Sequence, residues 1–189
     1  EEQPMTAISR FPVHDELSAP EGSVPVLRGA LATAGQLPNF LGVLAGSPAA
    51  LRGYARLRSE LRHGALEPRT LERISLAVAE HRGSDPGIAM HSKSARLAGM
   101  SFDEISAARR FTSADEHEQA LLSYLRSLIE ERGRPPVHLH EEAREAGWTD
   151  EQLLEAIAFV ALETFTALIN VAGDVPVDGS TEQGRLMAA

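Results

Sequence analysis

A helix-to-helix junction that occurs twice is what most limits how this chain can fold. Ala95-Arg96-Leu97-Ala98-Gly99-Met100-Ser101 and Ala143-Arg144-Glu145-Ala146-Gly147-Trp148-Thr149 share the pattern Ala-Arg-x-Ala-Gly-x-Ser/Thr. In each copy a glycine is placed to end one helix, because it accepts the left-handed conformation of a helix stop at no steric cost. The hydroxyl residue two places on is placed to cap the next helix, with Glu104 or Gln152 three residues later completing a capping box. Ile105 or Leu153 then begins a buried stripe. Any helix–glycine–capping-box junction has this outline, but the matched Ala-Arg-x-Ala-Gly favours an internal duplication.

The rest of the chain is punctuated in the same way. Val26, Leu27, Ala30 and Leu31 recur at helical spacing up to Gly35. Pro38 opens a short helix, and Ser47 with Pro48 opens another whose stripe is Leu51, Tyr54, Leu57 and Leu61, with Gly64 as its stop. Helices are expected over 68–82, from Ser84 to Gly99, from Ser101, over about 114–132, 137–146 and 150–172. No segment alternates with period two long enough to be a strand, so the fold class is all-α. The expected organisation is an extended N-terminal arm over 1–23, a helical domain over 24–178, and a tail over 179–189.

Composition removes several function classes. A formal net charge of −9 disfavours nucleic acid and anionic membrane as partners, since both need a compensating basic patch. The absence of cysteine excludes disulfides, thiolate nucleophiles and cysteine metal sites. The longest apolar-rich stretch, near Ala156 to Leu168, is broken by Glu163, so a buried helix is expected there and no membrane span of about 18 residues. The acidic, polar start EEQPMTAISR has no apolar core of a signal peptide, which makes the cytoplasm the expected location.

Chemistry concentrates between Arg69 and Ile105. Glu72 falls near the start of one helix and His91 in the middle of the next, and a half-buried glutamate beside a histidine is a candidate acid–base pair. Ser84 or Asp85 caps the opening of the second helix, followed by Pro86 and Gly87. Free N–H groups at such a helix end can hold an anionic group, so Ser84, Gly87 and, on the last helix, Asn170 are candidate ligand-binding residues. His81 sits at a helix C-terminus, where the dipole accounts for it. His138 and His140 are two apart and do not share a helix face, so no metal site is expected.

These residues give the chain its resemblance to the carboxymuconolactone decarboxylase and alkylhydroperoxidase AhpD-like superfamily, over about 37–178. The resemblance is carried by Gly35-Gln36-Leu37-Pro38-Asn39, by Ser47-Pro48, by the whole of Arg69–Ile105, and by Phe165 to Gly173 followed by Pro176 and Asp178. It implies an AhpD-like helical bundle, a homo-oligomer (trimer or hexamer), and a proton-relay glutamate at Glu72 with a histidine at His91. The cysteine pair of the redox branch falls on Ser84 and Gly87, so the family's peroxidase mechanism has no sulfur to work with. The usual Asn and His of the C-terminal signature are Ala167 and Val171, while Asn170 is retained.

The expected function is therefore a cofactor-free acid–base enzyme of decarboxylase or isomerase type, acting on a small molecule through Glu72 and His91. The alternative is a non-catalytic oligomeric descendant that binds a ligand or partner. No cofactor, nucleic acid or membrane is expected in either case.

Overall fold

The computed structural model describes residues 9–179. Among them are nine α-helices and no strand. They are α1 (Val24–Ala34), α2 (Asn39–Leu44), α3 (Pro48–Arg62), α4 (Pro68–His81), α5 (Asp85–Leu97), α6 (Phe102–Ala108), α7 (Glu116–Glu130), α8 (Val137–Glu145) and α9 (Asp150–Ala172). The helices begin and end close to the expected stops and caps. Residues 1–8 of the arm and 180–189 of the tail lie outside the described residues.

The repeated junction is one local structure made twice. Gly99 and Gly147 both have positive φ, 83° and 109°. Met100 N donates to Ala95 O at 2.9 Å, and Trp148 N to Ala143 O at 3.1 Å. Both capping boxes are complete: the Ser101 and Thr149 hydroxyls accept from the amides of Glu104 and Gln152, whose side chains return to the cap amides. Ala95 and Ala143, Met100 and Trp148, Ile105 and Leu153 are all buried. The pairing extends outward, since α4 packs on α5 as α7 packs on α8.

The centre of the domain is α4. Every residue from Thr70 to Ala79 is buried, because α5, α6 and α9 all pack against it. Leu71, Ile74 and Val78 join Leu121, Leu125, Phe159 and Leu162 of α7 and α9 in the largest core cluster. A helix enclosed in this way must pair any charge it carries. Arg73 does so with Glu104, donating from Nη2 at 3.1 Å, and with Glu118, whose carboxylate also accepts from Thr70 Oγ1 at 2.6 Å. Glu72 is the other charge, and its partner is His91.

A second cluster joins α1, α2 and α3 through Leu27, Phe40, Leu44 and Leu51. Of the expected α3 stripe, Leu57 is 44 % exposed, because α3 lies at the domain edge and turns Tyr54 and Leu51 inward. The two ends of the described segment are tied down against the domain. Asp178 accepts from Asn39 N at 2.7 Å, closing the start of α2. The described part of the arm lies on its own domain, with Arg10 N donating to Gly173 O and His14 N to Gly42 O.

Helix α9 is long and apolar enough, by length and composition alone, to cross a membrane, which differs from the sequence reading of that stretch. Its contacts with α2, α3, α4, α5 and α7 account for that composition. They make it the helix on which the other layers are assembled.

Candidate active site

Helices α5 and α9 run antiparallel, and their contact brings together two sets of polar side chains. Ser84, the cap of α5, and His91 within it are seven residues apart, and Asn170 and Glu163 are seven apart on α9. Seven residues is two helical turns, so Ser84 meets Asn170 at one level and His91 meets Glu163 at the next.

At the lower level, His91 stands between two carboxylates. Its Nδ1 lies 2.9 Å from Glu72 Oε2 in a hydrogen bond. Its Nε2 lies 3.2 Å from Glu163 Oε2, an ionic contact outside hydrogen-bond geometry. Exposure is 4 % for Glu72, 7 % for His91 and 8 % for Glu163, so water scarcely screens them. Burial alone would push the imidazole down. The Glu163 charge and contact, with the Glu72 hydrogen bond and charge, outweigh burial and raise it to about 9. At neutral pH the ring is therefore an imidazolium, protonated on both nitrogens and flanked by two carboxylates. Arg62 Nη1 approaches the other side of Glu72, 3.8 Å from Oε1.

At the upper level, the Ser84 hydroxyl accepts from Gly87 N at 3.3 Å and caps α5. It also accepts from Asn170 Nδ2 at 3.1 Å. Asn170 Oδ1 is buried with no partner among the described residues. A Cβ on Gly87 would come within 2.9 Å of Ser84 Oγ and 3.1 Å of Ala79 Cβ, so the backbone here is packed against α4. Ser84, Gly87 and Asn170 are thus brought together as one group, and Glu72 and His91 as another, one turn pair deeper along the same interface.

Sequence reasoning did not place Glu163, Tyr54 or Arg62 in this region. Glu163 had a legible signal. It is the one charge in the apolar stretch Ala156–Leu168, and it shares a helix face with Asn170 at a spacing of seven. Tyr54 is placed by packing: its ring meets Phe40 edge-on and stacks on Phe165, with centroids 5.0 and 6.2 Å away. Burial pushes its phenol up to about 12; the Glu163 charge adds to this and Arg58 opposes it.

These features define a class: an all-helical domain, free of cysteine, with a Glu–His–Glu ion cluster inside its central helix contacts. Residues 48–131, which span α3 to α7 and carry Glu72, Ser84, Gly87 and His91, match the model of the carboxymuconolactone decarboxylase family. Together with the AhpD-like fold, this match supports the resemblance to the carboxymuconolactone decarboxylase/AhpD-like superfamily. The fold is similar to that of an uncharacterized peroxidase-related AhpD-core protein from Ralstonia eutropha, with a TM-score of 0.81 and 18% identity over 98% of this chain and 97% of that one. It is also similar to ATU0492 of Agrobacterium tumefaciens, a putative antioxidant defence protein AhpD, at TM-score 0.63 and 24% identity over 69% and 92% of the two chains. A cysteine-to-alanine variant of the debrominase Bmp8, in complex with 2,3,4-tribromopyrrole, gives a TM-score of 0.75 and 18% identity over 99% and 100%. No curated protein matches the chain by sequence.

Proposed function

We propose that this chain is a cofactor-free acid–base enzyme of lyase or isomerase type that moves a proton on a small molecule. The observation that carries this reading is the buried His91 ring held between Glu72 and Glu163 at 2.9 and 3.2 Å. Proton transfer at a carbon next to a carbonyl needs a base to take the proton and an acid to return one. Glu163 is suited to the first role: its carboxylate lies 3.2 Å from His91 Nε2 outside hydrogen-bond geometry, so it is held less firmly than Glu72. His91 is suited to the second, and Glu72 fixes the ring through Nδ1 and keeps it charged. Ser84 and Asn170 close the end of the same interface, with Asn170 Oδ1 available to a ligand donor. A debrominase of this fold binds 2,3,4-tribromopyrrole, which is consistent with a ligand of that size here.

Proton exchange measures this directly. A panel of small lactones and 2-oxo acids in deuterated water is followed by proton NMR. Exchange of the hydrogen next to the carbonyl is expected with the wild type and is lost in Glu163→Gln, measured at a temperature where both proteins show the same helical circular dichroism.

The burial of all three side chains favours a second reading, a structural ion cluster in a non-catalytic oligomer. In that case neither the wild type nor Glu163→Gln exchanges any compound of the panel.

A further inference from the structure

Beside the ion cluster lies a groove of about 620 Å³ walled by α1, the start of α2 and α3, with Met90 of α5 at its floor. Its volume is within the range of small-molecule sites, roughly 300–1,000 Å³. Val26, Phe40, Leu41 and Met90 make one wall apolar. The other wall is a stripe of α3 in which Tyr54, Arg58 and Arg62 recur every four residues. No carboxylate lines the groove among the described residues, in a chain whose net charge is −9. Arg58 forms no ion pair among the described residues, and the one ionic contact of Arg62 is the 3.8 Å approach to Glu72. Glu72, His91 and Glu163 do not line the groove, but three of its lining residues adjoin them: Arg62, 3.8 Å from Glu72, Met90, next in the chain to His91, and Tyr54, whose phenol feels the Glu163 charge.

We propose that this groove is the substrate channel of the cluster and that it takes a small monocarboxylic acid with an apolar body. The carboxylate is held between Arg58 and Arg62, which sit on one helix face at a spacing of four. The apolar body lies over Phe40 and Met90, towards Tyr54 and the cluster. Two guanidiniums without a lining acid are an electrostatic trap for an anion, and the apolar wall rejects a strongly hydrated one. The assignment rests on the acid–base reading for its chemistry but not for its binding test.

Isothermal titration with 2-naphthoate and its neutral amide, 2-naphthamide, tests it. The wild type should bind the acid at least about tenfold more tightly than the amide, the scale of one charge-assisted contact. That preference should shrink with added salt and disappear in the Arg58→Gln/Arg62→Gln double variant, with both proteins showing the same helical circular dichroism. Equal affinity for acid and amide in the wild type would overturn the assignment. So would a groove closed by a second copy, seen as binding of neither probe together with a smaller sedimenting species for the double variant. Titration of Glu163→Gln separates this proposal from the catalytic one. Retained preference for the acid supports the groove even where no turnover is found.

Discussion

Glu163 Oε2 and His91 Nε2 lie 3.2 Å apart, on facing turns of α9 and α5 and two helical turns from the Ser84–Asn170 contact. Glu72 holds the opposite ring nitrogen from α4. Three helices therefore meet at one imidazole, and its charge state couples the core of the domain to pH.

Stability should fall as pH rises from about 6.5 to 9. The folded protein holds the His91 proton up to about 9, whereas the unfolded chain releases it near 6.5. The stabilisation is fully present below 6.5 and is lost as pH climbs through the folded value. Its size is on the order of 3 kcal/mol. Urea denaturation at pH 6, 7.5 and 9 measures it, and His91→Gln should flatten the slope over this range.

His91→Gln should cost roughly 3–5 kcal/mol near neutral pH, because it leaves two buried carboxylates without the cation between them. Melting temperatures of the variant and the wild type at pH 7.5 check this.

Adding a side chain at Gly87 should destabilise the chain. A Cβ there displaces the Ser84 hydroxyl from Asn170 and presses on Ala79. Overpacking of about 1–3 kcal/mol is offset by about 1 kcal/mol of helix propensity, for a net loss near 1 kcal/mol in Gly87→Ala. The Ser84→Cys/Gly87→Cys double variant should therefore melt below the wild type. The wild type itself should show no dithiol-dependent turnover of an alkyl hydroperoxide.

Ser101→Ala and Thr149→Ala should each cost about 1 kcal/mol, because the two junctions have the same cap geometry. Chemical denaturation of the two variants tests whether the duplication is energetic as well as geometric.

Much of this molecule is legible in the sequence because its information is local. Gly99, Gly147, Ser101 and Thr149 announce their turns through conformational preference and capping, which depend on a few neighbouring residues. Glu72 and His91 were legible as a pair from the family resemblance. Glu163 was visible as a charge in an apolar run, but its partner lies far off in the chain, and only the antiparallel packing of α5 on α9 brings the two together. Tyr54 and Arg62 were beyond local reading for the same reason, since their roles depend on which edge of α3 faces inward. The exposure of Leu57 shows that the apolar period of α3 does not by itself define that edge.

Nitrogen-15 NMR of the His91 ring is the most direct test of the buried imidazolium. Two protonated ring nitrogens at pH 7, with a titration midpoint near 9 that falls in Glu163→Gln, are the expected result. A neutral ring at pH 7, with a midpoint near 6.5 unaffected by Glu163→Gln, would contradict it.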